Sequence, residues 1–74
     1  MLKKLRKKKR MTQLELAERM GRNRSYISKL ENGEYKDIGI STILDLSIAL
    51  EEDFTELCKY YKLQEIKRRK KQNN

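Results

Sequence analysis

Between Asn23 and Gly33 the chain reads NRSYISKLENG, a run rich in hydrogen-bonding side chains whose only carboxylate is Glu31. Laid on a helix at about 100° per residue, Arg24, Ser25, Ser28, Lys29 and Asn32 share one arc of roughly 140°. Tyr26, Ile27 and Leu30 take the opposite arc. The long cations can reach outward, while the serines keep the middle of that face low and able to hydrogen-bond. Such a face suits insertion into a groove of base edges, where guanine O6 and N7 accept from Arg or Lys. A merely solvated face would instead carry Glu and Lys four residues apart. Residue types and spacing therefore point to a recognition helix.

The elements that must position this helix are legible from local signals. Thr12-Gln-Leu-Glu15 is a capping box: the threonine hydroxyl accepts from the third amide while Glu15 reaches back. The helix it opens runs to Gly21, a natural stop because glycine tolerates positive φ. Leu14, Leu16, Ala17 and Met20 are expected on its buried arc, with the small Ala17 letting a neighbour approach closely. The joint Gly21-Arg22-Asn23-Arg24 forces a sharp turn, Asn23 caps the next helix, and Gly33 ends it. Upstream, Leu2, Leu5 and Met11 mark a first, otherwise cationic helix. Downstream of the loop EYKDIG, the residues Ile43, Leu44, Leu46, Ile48, Ala49 and Leu50 form an apolar helix capped by Gly39 or Ser41. Asp53-Phe-Thr-Glu56 opens a fifth helix, with Phe54, Leu57, Cys58 and Tyr61 on its core arc. Proline is absent and no stretch alternates apolar and polar for long, so the fold class is all-α, with five short helices.

Size and composition exclude several classes. Seventy-four residues make one small domain with a marginal core. Cys58 is the only cysteine, and a lone thiol suits a reducing cytosol, with burial as a small hydrophobe its expected role. Histidine is absent, so no metal site is expected. No apolar run approaches the ~18–20 residues of a membrane span, and no apolar h-region follows the basic N-terminus, so no membrane contact or signal peptide is expected. A cytoplasmic location follows. Without histidine, a glycine-rich phosphate loop or paired carboxylates, no catalytic residue, cofactor or small-molecule substrate is expected either. Charge is unevenly spread: residues 1–30 carry a net +9, residues 31–56 a net −7 and residues 57–74 a net +6. This asymmetry describes an oriented molecule with one side facing a polyanion.

Here the residues reach a family. Gln13-Leu14-Glu15-Leu16-Ala17, then Gly21, Ile27 and Leu30-Glu31-Asn32-Gly33, resemble the helix-turn-helix of the phage repressor and Cro family, also called the xenobiotic-response-element family. The resemblance covers about residues 2–58. It implies a compact five-helix, lambda-repressor-like domain with the helix-turn-helix at helices 2 and 3. It also implies a bacterial or phage-encoded, nucleoid-associated regulator, repressor by default, that binds a double-stranded and palindromic DNA operator as a two-fold homodimer. Carried over by position, Arg24, Ser25, Ser28 and Lys29 would read bases. Gln13, Asn23 and Asn32 would contact phosphates, as would Lys36 in the loop. Arg6 and Glu31 would form a structural ion pair between the first and third helices.

Three features depart from the pattern. Arg10 stands where the family often has glycine or a residue of positive φ, which strains a non-glycine slightly. Glu34 and Asp37 surround Lys36 in a loop that is usually basic. The first helix begins almost at Met1, so no minor-groove reading is expected from that end. A competing class is a protein-interaction module or antitoxin-type co-regulator of the same fold, which loss of Arg24 would spare. RNA binding fits the charge, but stacking aromatics are few.

The C-terminal part sets its own question. Residues 1–62 form the DNA-binding domain on this reading, and 63–74 a basic extension, either helical or disordered. Leu63 and Ile66 fall nearly opposite the core arc of the fifth helix. Either that helix ends near Lys62 or it presents a second apolar face. A dimer contact is expected near Glu51 to Leu57 and along the fifth helix, with Leu63 and Ile66 as its extension. Such a small contact would let the free protein stay monomeric and dimerise only on its operator. The run Lys67 to Lys71 would add nonspecific phosphate contacts.

Overall fold

The computed structural model describes residues 2–72; Met1 and positions 73–74 of the basic tail lie outside the described residues. Five α-helices follow in order: α1 (Leu2–Lys8), α2 (Gln13–Arg19), α3 (Arg24–Glu31), α4 (Ile40–Leu50) and α5 (Phe54–Gln72). No strand occurs among the described residues.

The boundaries form where the sequence supplies partners for orphan backbone groups. Thr12 Oγ1 accepts from the Glu15 N–H at 3.0 Å, and Glu15 Oε1 accepts from the Thr12 N–H at 3.1 Å, completing the capping box. Asn23 Oδ1 accepts from the Tyr26 N–H at 2.9 Å and so starts α3. Gly21 and Gly33 stop α2 and α3 at φ of 67° and 71°. Of the two caps open for α4, Gly39 is the one used. Asp53 Oδ1 accepts from the Glu56 N–H at 3.1 Å at the head of α5. Two non-glycine residues adopt the left-handed region: Arg10 at φ 58°, after α1, and Glu51 at φ 53°, after α4.

The core draws on every helix. Leu16, Ile27, Leu46, Leu50 and Leu57 are fully buried, one or two from each of α2 to α5, and Leu2 joins them from α1. Ala17 is also wholly buried, and its size lets α3 cross α2 closely. Full burial of each large side chain contributes about 1.5–3 kcal/mol of transfer free energy. Phe54 and Cys58 pack at the edge of this cluster. Long cations lace the periphery. Lys9 Nζ lies 3.1 Å from Glu52 Oε1, and Arg19 Nη1 donates to the Ala49 carbonyl at 3.0 Å, covering an end carbonyl of α4.

Several of the apolar residues of α2 and α4 are exposed. Leu14 is 51% exposed, because the covered arc of α2 centres on Leu16 and Ala17 and Leu14 lies about 60° beyond it. Leu44 and Ile48 of α4 are likewise exposed, in line with Ile40, at steps of four residues. That helix buries Ile43, Leu46, Ala49 and Leu50 on one side and carries an aliphatic stripe on the other. The reason is that α4 is packed from one side only, so its excess of apolar residues cannot all be covered.

No break occurs at Lys62. α5 continues through residues 63–72 as one helix, about 28 Å long at 1.5 Å per residue, and the molecule measures 39 Å along its longest axis. Its far half overhangs the loop that follows α3. Leu63 and Ile66 point away from the core, at 57% and 39% exposure.

Candidate nucleic-acid interface

The site is one face of α3, and it exists because the other face is held. Ile27 and Leu30 anchor the helix in the core. Glu31, at its last turn, receives Arg6 from α1 with Nε at 2.5 Å and Nη2 at 3.2 Å. The two side chains are only 8% and 2% exposed, Arg6 first. Arg6 also donates from Nη1 to the Met11 carbonyl at 2.7 Å, so a buried guanidinium is satisfied on two sides. Gln13 Nε2 completes the cluster by donating to Glu31 Oε1 at 3.0 Å. Partial burial works against the Glu31 charge, but the hydrogen bonds from Arg6 and Gln13 and the charges of Arg6 and Lys3 hold its carboxyl below the ordinary range.

The opposite face is open. Arg24, Ser25 and Lys29 are exposed and Ser28 is half-buried between them. Among the described residues none of these four side chains has a hydrogen-bond or ion-pair partner. Asn23 and Asn32 stand at the two ends of the helix as its caps, both exposed. The structure thus brings Arg24, Ser25, Ser28 and Lys29 onto one helix, with the two asparagines at its ends. Gln13, half-buried at the start of α2, instead joins the Arg6–Glu31 cluster through one amide proton. Lys36 is exposed in the loop, beside a groove of about 740 Å³ between that loop and the overhanging half of α5. Tyr61, also on this groove, has a buried hydroxyl without a partner, and burial pushes its pKa well up. Leu63 and Ile66 do not join the α3 face.

Three residues at this interface carry no signal in the pattern of α3 alone. Arg22 of the turn lies over the ring of Tyr26, with Cζ 3.9 Å from the centroid. Tyr26 in turn meets Tyr35 of the loop, at 5.4 Å between centroids and a 43° tilt. Helical spacing places Tyr26 with the core arc. It sits at the flank of that arc, half-buried, and the aromatic residue two positions after Gly33 is the one available clue.

A model of the helix-turn-helix family matches residues 2–57. The chain belongs to that family, in its phage repressor and Cro branch. Comparison with curated proteins and with solved structures gave no match. Members of the helix-turn-helix family are DNA-binding transcription regulators, typically without enzymatic activity, and their ligand is double-stranded DNA. The five-helix architecture of this chain fits that family's all-α fold. No helix among the described residues is long and apolar enough to cross a membrane.

Proposed function

We propose that this helix-turn-helix protein is a sequence-specific, cytoplasmic repressor that reads a palindromic operator through the major groove with α3. The observation that carries the reading is the division of α3 into a covered face, where its one carboxylate is neutralised by Arg6, and an open face of unpaired donors. Arg24 and Lys29 take guanine O6/N7, with Ser25 and Ser28 making shorter contacts between them. Gln13, Asn23, Asn32 and Lys36 position the helix on flanking phosphates. Occupancy of a promoter-proximal operator by the paired domains excludes polymerase, which is repression in its simplest form.

Pairing of two copies is part of the proposal. Two-fold readers place their recognition helices about 34 Å apart, one turn of DNA. Two exposed aliphatic patches are available: Ile40, Leu44 and Ile48 on α4, and Leu63 with Ile66 on α5. The α4 patch belongs to the acidic middle segment, whereas Lys59, Lys62, Lys67 and Lys70 surround the α5 patch on the helical wheel. Opposite charge around matching apolar centres favours α4 of one copy against α5 of the other.

Selection of bound sequences from a random DNA pool tests the function directly. A palindrome with guanines in each half-site is the expected outcome, and recovery of no preferred sequence would sink sequence-specific reading. Sedimentation of Leu63→Asp/Ile66→Asp, with and without the selected operator, tests the pairing. Normal dimeric binding by the double variant would remove these residues from the interface.

A further inference from the structure

The stack of Arg22, Tyr26 and Tyr35 ties the turn, the recognition helix and the following loop into one wall beside the reading face. A cleft of about 400 Å³ opens against this wall. It is lined by Arg22, Asn23, Ser25, Tyr26, Lys29 and Tyr35. Two cations, three hydroxyls and a carboxamide face it, and no carboxylate does. Gly21, in the left-handed region at φ 67°, completes the lining from the turn. Ser25 and Lys29 belong both to the cleft and to the base-reading face, so the cleft lies where the sugar–phosphate strand bordering the groove must pass.

We propose that this cleft seats one backbone phosphate of the operator strand, with Arg22 as its main ligand and the Tyr26–Tyr35 pair as the wall that positions Arg22. The proposal rests on the reading of DNA by α3 and adds to it a named contact outside the base-reading set. The chemistry favours a phosphodiester over a thymine methyl, because the lining is mostly polar and offers little apolar surface. A guanidinium laid on an aromatic ring keeps its edge donors free for an anion while its plane is fixed. The ordering of a long flexible side chain is then largely complete before DNA arrives. Tyr35, which is 38% exposed, holds the outer side of the Tyr26 ring and contributes its hydroxyl to the same cleft.

The experiment uses the intact protein and the operator it selects. Arg22→Gln should lower the log–log salt slope of binding by about 0.9 for each half-site and leave the preferred sequence unchanged. Neutral methylphosphonates placed one at a time along the operator should reveal one position per half-site that weakens the wild type and leaves Arg22→Gln unaffected. Tyr35→Ala should weaken binding less than Arg22→Gln and lose sensitivity at the same methylphosphonate position. Thermal melting of both variants separates folding from binding, and Tyr35→Ala carries the test if Arg22→Gln unfolds. An unchanged salt slope would overturn the proposal. So would altered preference at a single base, which would make Arg22 a base reader. Absence of any salt-dependent DNA binding by the wild type would instead overturn the reading of α3 together with the cleft.

Discussion

The two faces of α3 hold charge in opposite states. On the covered face Glu31, Arg6 and Gln13 satisfy one another and the Met11 carbonyl, so the charges there are occupied in holding α1, α2 and α3 together. On the open face Arg24, Ser25, Ser28 and Lys29 lack partners within the described residues, so their donors remain for a ligand. Eight residues of helix thus carry a packed half and an open half, and the boundary between them is drawn by burial. A charged residue in this motif therefore cannot be assigned from its type. Glu31 and Lys29 are two positions apart, and only their neighbours leave one paired with Arg6 and the other exposed without a partner among the described residues.

Substitutions on either side should register in different observables. The largest effect is expected from Glu31→Ala, which strands the buried Arg6 guanidinium and should cost about 3–5 kcal/mol of stability. That is a large part of the total for a domain of this size. Chemical denaturation reads it, and the operator preference of the folded fraction should be intact. An unchanged midpoint would make the covered face as dispensable as a surface pair.

Acid titration probes the same face. The Glu31 carboxyl has a lower pKa folded than unfolded, so its contribution is fully present above the unfolded value and is lost as pH falls through the folded one. Glu31→Gln should therefore flatten the acid limb of a stability-against-pH curve. A limb as steep as that of the wild type would assign acid sensitivity to other carboxylates.

Next in size is the open face. Arg24→Ala should cost about 1–3 kcal/mol on the selected operator and relax preference at one base position, with no loss of thermal stability. Equal weakening on all sequences would reduce Arg24 to a phosphate contact. A similar distinction applies to the tail: deleting residues 67–74 should lower the salt slope by about 0.9 for each phosphate that the tail neutralises. An unchanged slope would leave that half of α5 outside the interface.

The smallest effect lies away from both faces. Glu51 occupies the left-handed region at φ 53°, where a side chain costs about 1–2 kcal/mol, partly offset by the greater chain entropy of glycine. Glu51→Gly should raise stability by up to about 1 kcal/mol, read by chemical denaturation of the free protein. A loss of stability would show that the exposed Glu51 side chain makes contacts beyond its backbone role.

The features legible in the amino-acid sequence lie within short spans of chain. The Thr12 and Asn23 caps, the stops at Gly21 and Gly33, and the acid-free arc of α3 each need only hydrogen bonds or periodicity across three to eight residues. Backbone geometry sets those whatever surrounds them. The Arg6–Glu31 pair spans 25 positions and is reached only through the family's spacing, because no local rule joins residues so far apart. The remainder waits on packing. Leu14, Leu44 and Ile48 are as apolar as their buried neighbours, yet their exposure depends on which arc a neighbouring helix covers. Arg22, Tyr26 and Tyr35 come from a turn, a helix and a loop, and they meet only after α3 has docked. The same holds for Lys9 and Arg19, whose long side chains cross to the end of α4. Periodicity ranks the faces of a helix, but burial requires a second surface, and that surface arrives with the fold.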